Sequence, residues 1–67
     1  MKTHIQALRK AHKLSQSEFA AKMGVTRQTI ISLEKERYVA SLELAHRIAR
    51  FFGKTIEDVF IFDDEEV

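Results

Sequence analysis

The chain contains no cysteine, which excludes a disulfide framework and any thiolate metal site and suits a reducing cytoplasm. It has no proline, only two glycines and no repeated or low-complexity stretch, so nothing marks a linker between domains. No uninterrupted apolar run approaches the ~20 residues of a membrane span. The chain opens on Lys2, Thr3 and His4, not on a basic stretch followed by an apolar one, so no secretory leader is expected. What remains is one small domain of 67 residues. A chain this short buries only about 60% of its unfolded surface, so it gains from pairing with a second copy of itself.

Neither is there much net charge, but the balance hides an asymmetry. All eleven Lys and Arg fall in residues 1–54 against four Glu, which leaves that segment at +7. The last thirteen residues carry six acids, four of them within the tail at 63–67. A basic body suits a polyanion, because neutralised phosphates release counterions. The acidic tail is expected to fray in solvent as a solubilising segment, or alternatively to repel DNA phosphates.

Helix starts are well marked. Thr3 with Gln6, and Ser15 with Glu18, have the spacing of capping boxes. Thr26, Ser41 and Thr55 are further cap candidates, the last with Asp58 three residues on. Gly24 and Gly53 each follow a helical pattern and can end it in the left-handed conformation. These signals predict five helices, at about 4–12, 16–23, 27–35, 42–52 and 56–60. The apolar spacing agrees. Ile5, Leu8 and His12 share one face; Phe19, Ala20 and Met23 form another; Ile30 and Leu33 form a third. Leu44, Ala45, Ile48, Ala49 and Phe52 make a broad stripe on the fourth helix, with Arg47 and Arg50 facing away. The segment from Val59 to Phe62 is rich in β-formers and reads as the end of helix five or as a short strand. A lone strand leaves its backbone unsatisfied, so a strand here needs a partner, most simply a symmetry mate.

Residues 16–35 carry the clearest functional pattern. Two short helices meet at a tight turn at Gly24, and polar side chains open the second helix. That is the layout of a helix-turn-helix, a unit that places one helix in the major groove of DNA. Ala20 is small where the helices cross, and Val25 and Ile30 fill the space beneath the turn. Thr26 caps the second helix and leaves Arg27, Gln28, Thr29, Ile31 and Ser32 outward. Arg can grip guanine, Gln can grip adenine, and Ile can rest on a thymine methyl.

The stretches LRKAHKLSQSEFAAKMGVTRQTIISLEKERY and SLELAHRIARFFGKTIEDVF resemble the Cro/phage-repressor (XRE) family of helix-turn-helix regulators over residues 4–62. The resemblance implies an all-α, five-helix, lambda-repressor-like domain, with the motif in its second and third helices. It implies that Arg27, Gln28 and Ser32 reach base edges; Ile31 beside them stands where the family usually has a polar residue, and an exposed Ile there suggests contact with a thymine methyl. It places Gln16 at a phosphate-binding helix start, Thr26 and Thr29 at phosphate or rim positions, and Lys35 and Arg37 along the DNA backbone. Arg9 and Glu34 match a buried structural ion pair. The chain departs from the family at Lys13, where glycine is frequent, and at Lys35 and Glu36, where asparagine and glycine are frequent. A third departure is Val39 and Ala40, which stand where asparagine and proline are common.

The expected function is therefore a cytoplasmic, sequence-specific DNA-binding regulator, by default a repressor. It would act as a homodimer on a pseudo-palindromic operator, with Phe60, Ile61 and Phe62 as the candidate dimer surface. The alternative is an antitoxin-like interaction module, ranked second because little chain follows helix five to wrap a partner. An enzyme is not expected. His4, His12 and His46 are the only plausible bases, and no nucleophile triad or glycine-rich phosphate loop is present. Glu43 and His46 lie three apart, but two ligands make a weak metal site, so a surface pair is the expectation. No cofactor, metal or small-molecule ligand is anticipated.

Overall fold

Four of the five helices begin at a hydroxyl side chain that takes up a backbone N–H left unpaired at a helix start. In the computed structural model, which describes residues 2–62, α1 spans Ile5–Ala11, α2 Gln16–Met23, α3 Arg27–Glu34, α4 Leu42–Phe51 and α5 Ile56–Val59. Ser15 and Thr55 close complete capping boxes with Glu18 and Asp58. Thr26 and Ser41 accept from the N–H groups of Thr29 and Leu44. The tail at 63–67, and with it every expectation placed there, lies outside the described residues.

α1 begins differently from expectation. Its N-cap is His4, with no side-chain cap bond, and Thr3 offers only a long 3.4 Å contact to the Ile5 N–H. The predicted box from Thr3 to Gln6 does not form because Thr3 belongs to a strand. This strand, β1 (Lys2–Thr3), pairs antiparallel with β2 (Phe60–Ile61), in register Lys2 with Ile61 and Thr3 with Phe60. The His4 N–H extends the connection by donating to the Val59 carbonyl at 2.8 Å. The C-terminal strand therefore finds its partner within its own chain, and its pairing calls for no symmetry mate.

Strand alternation then decides which side chains turn inward. Phe60 is 1% exposed and sits in the core with Val59, whereas Ile61 and Phe62 are 40% and 54% exposed. Phe60 is thus removed from the candidate dimer surface: its ring is already buried against its own chain.

The core is continuous across all five helices. Ile5, Phe19, Ala20, Met23, Ile30, Leu33, Leu44, Ala45, Ile48, Ala49, Phe52, Val59 and Phe60 are its buried members. Leu8, Leu14, Val25, Ala40 and Ile56 pack on its margin. At one end the rings of Phe19 and Phe52 stack at 5.3 Å, and exposed His12 covers Phe52 at 5.0 Å. His12 therefore follows its predicted face as a lid on the aromatic cluster.

α1 to α4 stop in one and the same way. The chain enters the left-handed region at Lys13 (φ 57°), Gly24 (71°), Glu36 (63°) and Gly53 (67°). The following N–H then turns back to a carbonyl of the last turn: Leu14 to Arg9, Val25 to Ala20, Arg37 to Ser32 and Lys54 to Ala49. This is the Schellman closure, which satisfies carbonyls that a helix end leaves open. Glycine adopts it without cost at two of the sites; Lys13 and Glu36 adopt it against their Cβ atoms.

Candidate nucleic-acid interface

The turn between α2 and α3 is held from three sides. Gly24 supplies the positive φ, and a Cβ there would make only ordinary contact, 3.8 Å from Arg47 Nη1, so conformation rather than space requires glycine. Val25 and Ile30 lie beneath the turn, and Ala20 is buried on the face of α2 that meets α3. From α4, Arg47 donates through Nη1 to the Met23 carbonyl at 2.6 Å and through Nη2 to Glu43 Oε1 at 2.9 Å. Glu43 therefore pairs with Arg47, one helical turn on, and not with His46 as the sequence led one to expect. The helical spacing alone shows Arg47 as a solvent-facing residue. Its spacing from Glu43 was visible in the sequence, but its reach to the end of α2 depends on tertiary packing.

A second brace fixes α3 against α1. Arg9 donates through Nε to Glu34 Oε2 at 2.6 Å and through Nη2 to Oε1 at 3.1 Å, while Nη1 reaches the Leu14 carbonyl at 2.8 Å. Both side chains are nearly withdrawn from solvent, at 8% and 5% exposure. The hydrogen bond to Glu34 raises the Arg9 pKa above its ordinary value, against the opposing effect of burial. The pair anticipated between these residues is thus present, with two-point geometry that fixes orientation as well as distance. Gln16 joins it: its Nε2 donates to Glu34 Oε1 at 3.2 Å. Its side-chain amide thus faces the ion pair, while Gln16 itself opens α2, the helix start expected at a phosphate.

With Ile30 and Leu33 buried, the opposite face of α3 looks outward. Arg27 and Gln28 are exposed; Thr29, Ile31 and Ser32 are half-buried. Ile31 is thus less open than its position suggested. Thr26 and Thr29 hydroxyls lie 3.0 Å apart at the head of the helix. Lys35 and Arg37, just beyond the helix, are exposed. The closure at Glu36 folds the chain back, so that Arg37 and Tyr38 come alongside α3. Together with Thr26, Gln28, Thr29 and Ser32 they line an open depression of about 330 Å³. Of the lining residues, Tyr38 is the one that no motif in the sequence marks.

The remaining ion pair among the described residues is Arg47 with Glu43, so Arg27, Lys35 and Arg37 keep their charge available at this face. No group of three or more His, Cys, Asp or Glu among the described residues could hold a metal ion. No helix among them is long and apolar enough to cross a membrane.

Comparison with known proteins agrees with this architecture. The helix-turn-helix family profile HTH_3 matches residues 5–59. An HTH-type transcriptional regulator of Methanothermobacter thermautotrophicus is 58% identical over 66 residues, covering 97% of this chain and 96% of that one. Another from Methanocaldococcus jannaschii is 52% identical over 66 residues, 98% and 100% of the two chains. The Bacillus subtilis regulator YgzD is 42% identical over 65 residues, 97% and 98% of the two. Among solved structures, the hypothetical transcription factor NHTF from Neisseria shares the fold, with a TM-score of 0.75 at 21% identity, over 94% of this chain and 71% of that one. With its five helices, its braced α2–α3 turn and these relatives, the chain belongs to the XRE-type helix-turn-helix family, whose members are DNA-binding transcriptional regulators and not enzymes.

Proposed function

We propose that this protein is a sequence-specific DNA-binding repressor that reads a pseudo-palindromic operator as a homodimer in the cytoplasm. The observation that carries the reading is the division of α3. Ile30 and Leu33 anchor one face in the core, while Arg27, Gln28 and Ser32 occupy the other. A helix held in this way can enter the major groove with its first turns against base edges. Arg27 would take a guanine and Gln28 an adenine, with Ser32 and the methyls of Ile31 completing the contact. Thr26, Thr29, Lys35 and Arg37 would hold phosphates beside it. The start of α2 at Gln16 would supply backbone N–H groups to another phosphate.

One reading helix covers only a few base pairs, so useful specificity calls for two. A two-fold dimer sets its half-sites about 34 Å apart. The exposed Ile61 and Phe62 are the side chains we assign to that contact; Phe60 is not among them. Repression follows most simply, because occlusion of polymerase requires no additional surface.

The test is a fluorescence-anisotropy titration against the DNA upstream of the protein's own gene and against a scrambled duplex, at two salt concentrations. Tight binding to the native duplex alone, weakening steeply with salt, is the expected result. Equal and weak binding to both would overturn the reading and direct attention to a protein partner.

A further inference from the structure

We propose that Tyr38 is a DNA-backbone contact: its phenolic hydroxyl donates to a phosphate oxygen seated in the depression between α3 and the segment that follows it. This inference rests on the DNA-binding reading above and adds to it a residue and a binding mode. Three observations carry it. First, Tyr38 is placed by the fold and not left to wander. The left-handed turn at Glu36 and the Arg37 N–H, bound to the Ser32 carbonyl at 3.0 Å, return the chain to the flank of α3. Second, the ring has no core role: 43% of Tyr38 is exposed, and no hydrogen bond among the described residues engages its hydroxyl. Third, the chemistry of the depression is that of a sugar–phosphate unit. Four residues that carry hydroxyls, Thr26, Thr29, Ser32 and Tyr38, line it together with Gln28 and Arg37.

The shape of the site separates this occupant from an apolar small molecule. Ligand pockets bury most of their ligand behind hydrophobic and aromatic walls. This depression lies open to solvent on a half-exposed helix face, and polar surface is mixed with the apolar in its lining. A phosphate on the strand flanking the reading helix could be gripped by Arg37 as a charge and by Tyr38 as a neutral donor. The two would differ in one measurable respect. A cation that neutralises a phosphate releases counterions and steepens the salt dependence; a phenol does not.

That difference defines the experiment. The full chain would first select a duplex from a random-sequence pool, and wild type, Tyr38→Phe and Arg37→Gln would then be titrated against that duplex and a mixed-sequence one across a salt series. Tyr38→Phe is expected to weaken binding roughly tenfold on both duplexes by loss of one hydrogen bond to a charged group. Its salt slope and thermal midpoint should match wild type. Arg37→Gln is expected to lower the slope by about one. The proposal is overturned if Tyr38→Phe binds both duplexes like wild type, if its loss is confined to the selected sequence, or if it flattens the salt slope. Failure of the wild-type chain to select or bind any duplex would instead remove the DNA-binding reading itself.

Discussion

Arg47 of α4 donates to the Met23 carbonyl at the end of α2, at 2.6 Å, across 24 residues of sequence. A helix outside the motif thereby holds the carbonyl that immediately precedes the turn at Gly24. The same guanidinium is oriented by Glu43, one helical turn earlier. The bond couples the core helix to the angle at which α3 is presented, and so joins packing to recognition.

Arg47→Ala is expected to lower stability by roughly 0.5–1.5 kcal/mol, the ordinary net value of such a bond. DNA affinity should fall on all sequences, with an unchanged salt slope if Arg47 acts only through the turn. Urea denaturation beside salt-series binding would check this. A slope reduced by about one would show Arg47 on a phosphate instead.

The ion pair of Arg9 with Glu34 sets the largest expected stability effect. Removing one partner, as in Arg9→Met, leaves a buried charge and should cost about 3–5 kcal/mol. That approaches the whole stability of a small domain, so unfolding at ambient temperature is the expected outcome by circular dichroism. Replacing both residues with apolar ones of similar volume should recover much of the loss. A single variant that melts like wild type would mean that water reaches the pair.

Lys13 and Glu36 hold left-handed backbone that glycine adopts freely. The left-handed conformation costs a non-glycine residue about 1–2 kcal/mol, and part of that is offset by the greater unfolded-state freedom of glycine. Lys13→Gly and Glu36→Gly should therefore each stabilise by roughly 0.5–1 kcal/mol, seen as a higher thermal midpoint. Equal midpoints would mean that the Lys13 or Glu36 side chain makes a compensating contact in solution.

Two capping carboxylates give the acid limb of stability its sign. The Ser15 N–H and then its hydroxyl hold Glu18 below its ordinary pKa, and Thr55 does the same for Asp58. A carboxyl depressed in the fold contributes stability above its unfolded pKa and loses it as pH falls through the folded value. The thermal midpoint should therefore decline on acidification below the usual carboxylate range. Glu18→Gln and Asp58→Asn should flatten that decline by lowering the neutral-pH midpoint toward its acid value.

On the DNA side, Arg27→Ala or Gln28→Ala should cost about 1–3 kcal/mol on the correct operator and relax base choice at one position. Lys35→Ala, which removes a cation assigned to a phosphate, should weaken all sequences alike and lower the salt slope by about one. Binding of each variant to single-base operator changes would separate the roles. Unaltered specificity in Arg27→Ala would move the reading head elsewhere.

What could be read from the sequence was what is local. The caps at Ser15, Thr26, Ser41 and Thr55 bond to an N–H three residues on, so residue type and spacing mark them. Ile30 and Leu33 identify the buried face of α3, and by subtraction its outer face. The stops at Lys13 and Glu36 leave no glycine to signal them; only the resemblance pointed to those positions. The pairing of β1 with β2 was not legible, because two residues have no periodicity and their partners lie at the far end of the described chain. Without that partner in view, Phe60 reads from the sequence as an interface residue. Tyr38 carries no signal in the sequence because its position depends on the turn at Glu36, not on any helix.

The small sheet has a kinetic consequence. The side-chain bonds that brace one helix against another span 24 and 25 residues, but Thr3 meets Phe60 only after nearly the whole described chain has collapsed. Contacts across such a span form slowly, since chain entropy must be lost before they return anything. The strand pair should therefore behave as a latch that engages last and opens first. Amide exchange at His4, whose N–H rests on Val59, would report its opening while α2 to α4 remain protected.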